Sequence, residues 1–259
     1  MKIRKIGGRF VRFSLSYRSI NLLHFRIARF LAMRGIASPL INSMKGYWEI
    51  QDRDTHASPL GYTEVESSTL EMFKELLEVL EKQAFLIEIG CNAGRNLNYL
   101  LEQGYENLAG IEINPLAVHD VMKEYFPELY RIGTFYTGSA NTEIKKIEDG
   151  KYDVVFAHSV LIHIEPRDRS LFYDMVRISS KYIVIFSQEN VDTQYPYDFK
   201  KLFEGLGCKE IVSKLFYSKS SIQQKTNHNK HKLPIELYSN KEHFFSANMV
   251  KIFIKLEEE

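Results

Sequence analysis

Two stretches, Phe85–Gly94 (FLIEIGCNAG) and Gly110–Asn114 (GIEIN), decide the fold between them. An apolar run carries an acidic residue, Glu88, at its end. A Gly-x-x-x-Gly turn follows at Gly90 and Gly94, then a helix-like segment, then a second apolar run ending in Glu112. This reads as a strand–loop–helix–strand unit with a carboxylate at each strand tip. Glycines let the backbone come close to a ligand, and free N–H groups at a helix start receive an anionic group. Glu112 stands 24 residues after Glu88, where it can accept hydrogen bonds from both hydroxyls of a ribose. The chemistry this unit suits is binding of a nucleoside-containing cofactor.

The glycine spacing separates two such cofactors. A dinucleotide fingerprint needs Gly-x-Gly-x-x-Gly, the second glycine making room for a pyrophosphate. Here Gly90 is followed by Cys91, Asn92 and Ala93, so that glycine is missing. Glu88 would also put a negative charge close to the pyrophosphate, whereas a ligand with an ammonium group would welcome it. The site therefore reads as built for S-adenosylmethionine rather than NAD.

With these residues in place, the sequence resembles the class I S-adenosylmethionine-dependent methyltransferases. The first motif is Glu88-x-Gly90-x-x-x-Gly94, and Glu112 matches the ribose-binding acid. Tyr136–Ala140 (YTGSA) falls in the place of the adenine-proximal loop, and Asp153–His163 (DVVFAHSVLIH) in that of the fourth strand and its following turn. The resemblance runs over roughly residues 63–256. It implies an α/β fold: a Rossmann-like, seven-stranded, mostly parallel sheet with an antiparallel last strand and helices on both faces. It also implies S-adenosyl-L-methionine as cofactor. Glu88 falls on the ammonium side, Gly90, Cys91, Asn92 and Gly94 in the close turn, and Glu112 and Ile113 at the ribose. Ser139 and Ala140 fall near the adenine, where the family often carries an acid. Arg95 and Asn96 would meet the methionine carboxylate or cap the helix, and Asn114 would add a ribose or adenine edge contact.

Composition bounds the rest. The chain has 259 residues, of which 44% are hydrophobic and 26% charged, an ordinary balance for a globular protein with one large domain plus an appendage. A net charge of +1 hides an asymmetry, because residues 1–48 hold ten Lys or Arg and no Asp or Glu. Two cysteines, Cys91 and Cys208, make no disulfide framework, and a reducing, cytoplasmic compartment is the simpler expectation. No stretch reaches the roughly 18 uninterrupted apolar residues of a membrane span, and no clean signal peptide is present.

The expected organisation is a basic extension over 1–48, a connector over 49–62 and the methyltransferase domain over 63–259. In the extension Ile20, Leu23, Ile27, Phe30 and Leu31 share one helical face. That face packs on the domain, or with Arg26 and Arg29 rests on anionic lipid, or belongs to a transit peptide. A peripheral membrane contact through residues 1–35 is one expected partner. Tyr47, Trp48 and His56 are candidate lid residues. Thr63-x-x-Glu66 reads as a capping box opening a helix to Leu80. Strands are expected at Phe85–Ile89, Leu108–Ile113, Tyr130–Tyr136, Tyr152–Ala157, Tyr182–Ser187, Glu210–Tyr217 and Met249–Lys255. Helices fall at Arg95–Glu102, Pro115–Tyr125, Pro166–Ser179 and Tyr197–Leu206. The polar stretch Ser218–Ser246 is long for a simple connection and is either a flexible loop or part of the substrate mouth, the second being favoured.

Methyl transfer is an in-line displacement, so the protein must hold the acceptor close and, for a hydroxyl, remove its proton. His163 and His158 lie just beyond the fourth strand, and an ordinary histidine pKa of roughly 6.5 suits a base. Either can instead cap a turn or touch the cofactor, and Glu165 is a further candidate at a helix N-cap. No Cys/His cluster has metal-ligand spacing, and no Asn/Asp-Pro-Pro-aromatic tetrapeptide grips a flipped base. The expected reaction is O-methylation of a small-molecule or glycan acceptor. The alternatives are an RNA-binding methyltransferase using the basic segment, with nucleic acid the lesser reading, and a cofactor-binding protein without turnover.

Overall fold

A computed structural model describes residues 44–55, 57–65, 67–188, 195, 197–216 and 248–256. Residues 1–43 of the basic extension, His56, Glu66 and the 218–246 stretch lie outside the described residues. Seven strands form one sheet: β1 (Leu86–Ile89), β2 (Leu108–Glu112), β3 (Thr134–Thr137), β4 (Tyr152–His158), β5 (Ser179–Gln188), β6 (Cys208–Phe216) and β7 (Asn248–Lys255). Their order is β3-β2-β1-β4-β5-β7-β6. All neighbours pair in parallel except β7, which runs antiparallel to both β5 and β6.

The central strands are apolar on both faces, as a parallel sheet covered by helices requires. Side chains alternate along each strand and feed two cores. Ile87, Val155, Ile183 and Phe253 join Leu171, Phe172 and Met175 on one side. Leu86, Val154, Val184 and Ile252 join Met72, Phe73, Leu97 and Leu100 on the other. Glu88 is the exception in β1, a carboxylate only 1% exposed in a strand otherwise made of Leu and Ile.

Three local expectations are corrected. The third strand covers only Thr134–Thr137, because Pro127 starts a helix, α5 in chain order, over Pro127–Ile132. Proline pre-sets the first helical turn, the Glu128–Arg131 pair at 2.6 Å spans it, and Gly133 N–H closes it on the Leu129 carbonyl. The helix expected from Thr63 begins at Ser67. Thr63 instead donates its hydroxyl to the Leu60 carbonyl at 2.9 Å, closing the 3-10 turn Pro59–Tyr62. The segment after β2 winds through a π-helical turn, Ala117–Met122, before ending at Tyr125. Where the extension meets the connector, Met44–Glu49 forms a short helix, α1. The helix over Arg95–Glu102, α3 in chain order, falls where the sequence placed it. No helix among the described residues is long and apolar enough to cross a membrane.

Candidate active site

A cavity of about 210 Å³ opens beyond the carboxyl ends of β1, β2 and β4. Open parallel sheets place ligands at that edge. The β1–α3 loop forms its floor. Gly90 N–H donates to the Ile111 carbonyl at 2.8 Å and Cys91 N–H to the same oxygen at 3.1 Å, lashing the loop to β2. Gly90 has φ +74°, and a Cβ there would meet Val160 Cγ2 at 2.7 Å. Its lack of a side chain thus lets the turn after β4 close over the loop. Gly94, at φ +84°, does not line the cavity; its missing Cβ faces Met122 and Leu129. That glycine serves helix packing. Among the described residues only Asn92 and Ser159 are non-glycine positions at positive φ, and both line the cavity. Such conformations concentrate where function over-determines the backbone.

The two strand-tip carboxylates have different surroundings. Glu112 is held by backbone: Oε2 accepts from Asn92 N–H at 2.9 Å and Oε1 from Asn114 N–H at 2.8 Å. Burial raises its pKa, opposed by those N–H groups. Glu88 has one partner, Asn96 Nδ2 at 2.6 Å on Oε1. Its Oε2 is sealed from solvent with no hydrogen bond. Burial pushes the Glu88 pKa up to about 8, and the Asn96 bond only partly offsets this.

Asn96, in the first turn of α3, also brings Nδ2 within 3.3 Å of His158 Nδ1. Burial, aided by the Arg95 charge, takes the His158 pKa down to about 3. His163 ends a single 3-10 turn, Leu161–His163, and burial takes its pKa down to about 4. Its Nδ1 is sealed and unpartnered. Trp48 lies against it, ring centroids 5.8 Å apart, and Tyr62 extends the aromatic wall 6.3 Å from Trp48. The Arg95 guanidinium sits 5.3 Å over the Tyr62 ring.

Among the described residues, the sealed polar atoms lacking a partner belong to Trp48, Glu88, Asn96, Asn141 and His163. All five residues line this one cavity. Buried polar groups are normally satisfied, so the clustering marks a surface shaped for a polar ligand.

The cavity gathers Glu88, Gly90, Cys91, Asn92, Asn96, Glu112, Ile113, Ser139, Ala140, His158 and His163, all expected from the sequence. Glu165 also lines it, at the N-cap of the 3-10 turn Pro166–Asp168, its carboxylate 2.8 Å from Arg167. Asn114 does not line it. Its Nδ2 donates to the Gln51 carbonyl at 2.8 Å and its Oδ1 caps Leu116 N–H, so it pins the connector to β2. The sequence reading passed over Tyr62, Asn141, Ser159, Val160 and Asp168, which also line the cavity. Asn141 directly follows the quoted YTGSA, so extending that motif by one residue would have found it. Nothing in the sequence signals the left-handed Ser159.

Residues 87–178 match the family model described as a methyltransferase domain. The fold is similar to magnesium protoporphyrin IX methyltransferase from Synechocystis PCC 6803, solved with bound S-adenosylmethionine. That likeness has 13% identity and a TM-score of 0.52, covering 95% of this chain and 100% of that one. A SAM-dependent methyltransferase from Archaeoglobus fulgidus shares 18% identity at a TM-score of 0.52, covering 73% and 95% of the two chains. A TehB-like SAM-dependent methyltransferase from Corynebacterium glutamicum shares 17% at 0.51, covering 76% and 92%. No curated protein sequence matches the chain. Residues 87–178 thus carry a methyltransferase domain, and the protein is an S-adenosylmethionine-dependent methyltransferase with S-adenosylmethionine as its cofactor.

Proposed function

We propose that the enzyme methylates a hydroxyl oxygen of a small-molecule or saccharide acceptor, with His163 taking the hydroxyl proton. One observation carries this reading: His163 lines the cavity with Nδ1 in no hydrogen bond, whereas the other histidine is tied to Asn96. Burial keeps His163 neutral at physiological pH, so its ring is a proton acceptor at the start of the reaction. With the ring proton on Nδ1, Nε2 receives the proton that the hydroxyl loses as its oxygen is alkylated. Trp48 and Tyr62, their rings set edge to face, supply an apolar wall of the kind that holds a sugar or ring face and excludes water.

At the other end we assign the cofactor contacts to Glu88, Gly90, Cys91, Asn92, Asn96, Glu112, Ile113, Ser139, Ala140 and His158. The fit rests on Glu88 Oε2 and Asn96 Oδ1, two buried acceptors without donors on side chains already bonded to each other. The α-ammonium of S-adenosylmethionine provides such donors. When bound, the cofactor supplies an electrophilic methyl carbon on a sulfonium. Glu112 keeps lone pairs for ribose hydroxyls while its backbone bonds fix its direction. Gly94 supports this loop from behind as a packing residue.

The test measures S-adenosylhomocysteine formation with a panel of hydroxyl, amine and thiol acceptors, beside a His163→Gln variant. We expect turnover on a hydroxyl acceptor to fall about 100-fold or more in the variant, with cofactor affinity within about twofold of wild type. Undiminished kcat in His163→Gln would reject the base assignment, and turnover confined to amines would reject O-methylation. We further propose that residues 1–35 place the enzyme on anionic membrane. Full-length protein that fails to sediment with anionic vesicles removes that part.

A further inference from the structure

We propose that Asn96 is a positioning residue that sets the tautomer of His158, holding its proton on Nε2 so that the ring meets the cavity as a hydrogen-bond donor. The inference rests on the reading of the cavity as a hydroxyl-methylating site and gives its second histidine a task different from that of His163.

A neutral imidazole has one donor and one acceptor nitrogen, and the partner of one fixes the role of the other. His158 is neutral because burial and the nearby Arg95 charge both oppose its protonation. Asn96 Nδ2 carries two hydrogens. One reaches Glu88 Oε1 at 2.6 Å, and the same nitrogen lies 3.3 Å from His158 Nδ1. With a ligand ammonium beside it Glu88 is ionised and can only accept, so in the occupied site the amide must present its nitrogen there rather than its oxygen. That orientation directs the second hydrogen at Nδ1, whose lone pair must receive it. The ring proton is thereby left on Nε2.

The opposite amide orientation would set Oδ1 against an ionised Glu88 and demand a proton on Nδ1. It would turn His158 from donor to acceptor. Both Glu88 and Asn96 are buried, at 1% and 4% exposure, so water does not substitute for either bond. A ligand ammonium between the two unpartnered acceptors, Glu88 Oε2 and Asn96 Oδ1, keeps the carboxylate ionised and locks the amide. The His158 ring also packs against the Phe186 ring, centroids 5.9 Å apart, which offers no competing hydrogen bond. His158 then gives Nε2–H to an oxygen in the cavity and leaves proton removal to His163.

The full chain labelled with ¹⁵N at histidine, saturated with S-adenosylhomocysteine at neutral pH, tests this by long-range ¹H–¹⁵N correlation. The His158 signals are assigned by their loss in His158→Gln. We expect His158 Nε2 to be protonated and Nδ1 to show the shift of an unprotonated, hydrogen-bonded nitrogen. Asn96→Asp replaces the donor by an acceptor and moves the proton to Nδ1. Should that variant not fold, Asn96→Ala removes the donor and gives a mixture of tautomers. Protonation on Nδ1 in wild type, or an unchanged Nε2–H signature in the Asn96 variants, overturns the proposal. Failure of His163→Gln to lose hydroxyl turnover rejects the base assignment and leaves the tautomer result standing, so the two ideas fail separately.

Discussion

The two ends of the cavity are built on different terms. At the cofactor end, Glu88, Glu112 and Asn96 sit on strand tips and the first turn of a helix, and backbone N–H groups hold Glu112 and the Gly90–Cys91 loop in place. At the acceptor end, Trp48 closes the basic extension, Tyr62 closes the connector and His163 ends one 3-10 turn, and their rings lie against one another. The first end is fixed by covalent neighbours and the sheet. The second is fixed by packing between segments more than 100 residues apart. On the proposed function, a cofactor common to many enzymes would meet the sheet-built end, and the acceptor would meet the part whose shape can vary without disturbing the sheet.

The comparison breaks first at Glu88. Replacing it by Gln should cut S-adenosylhomocysteine affinity by about 100-fold or more, because a buried charge loses its counter-charge. The same change should stabilise the ligand-free protein at alkaline pH. Burial lifts the Glu88 pKa from the ordinary 4.5 to about 8, so the empty wild type loses stability as pH rises through that window. The upper bound of this loss is about 5 kcal/mol. Calorimetric titration and thermal melts at pH 5 and pH 9 read both effects. Unchanged affinity would mean that Glu88 is a structural carboxylate.

Next in size is the close turn. Gly90→Ala strains a backbone at φ +74° and drives a Cβ into Val160, which should cost about 1–3 kcal/mol. Val160→Ala in the same chain should recover the clash but not the backbone strain. Full recovery in the double variant would show that φ at residue 90 carries no cost.

A smaller effect sharpens the contrast. Near pH 7 an ammonium ligand must displace the Glu88 proton, so binding should release close to one proton, measured from the buffer dependence of the binding heat. Affinity should rise up to tenfold per pH unit and flatten above about pH 8. A flat profile from pH 6 to 9 contradicts the raised pKa. Smallest is Trp48→Phe, which keeps an aromatic ring but removes the smaller ring of the indole together with its unpartnered Nε1. It should leave cofactor affinity within about twofold and raise the acceptor KM by less than tenfold. A large loss of cofactor binding would place Trp48 at the wrong end of the cavity.

Much of the cavity lining at the tips of β1 and β2 was legible because its parts are local. Glu88, Gly90 and Asn96 fall within nine residues, and a glycine turn between an apolar strand and a helix has few other uses. The strand expected at Tyr130–Tyr136 failed at its start because Pro127 and the Glu128–Arg131 pair favour helix over an alternating pattern. Asn114 looked like a ligand contact from its place after Glu112, yet its amide is consumed by Gln51, a partner 63 residues away. The left-handed Ser159 and the approach of Val160 to Gly90 depend on where the turn after β4 lands, which no periodicity encodes.

By itself the sequence determined the alternating α/β order, the motif at the tip of β1, the acid at the tip of β2, and two histidines, one at the end of β4 and one beyond it. Each follows from side-chain period, glycine placement and turn chemistry within a short window. Only the tertiary structure decided that the histidines differ, one facing Asn96 and one facing Trp48, and that Gly94 packs a helix while Gly90 admits Val160. The reason is physical: burial and hydrogen-bond partners set the charge and tautomer of a side chain, and both are supplied by residues that meet only when the sheet closes.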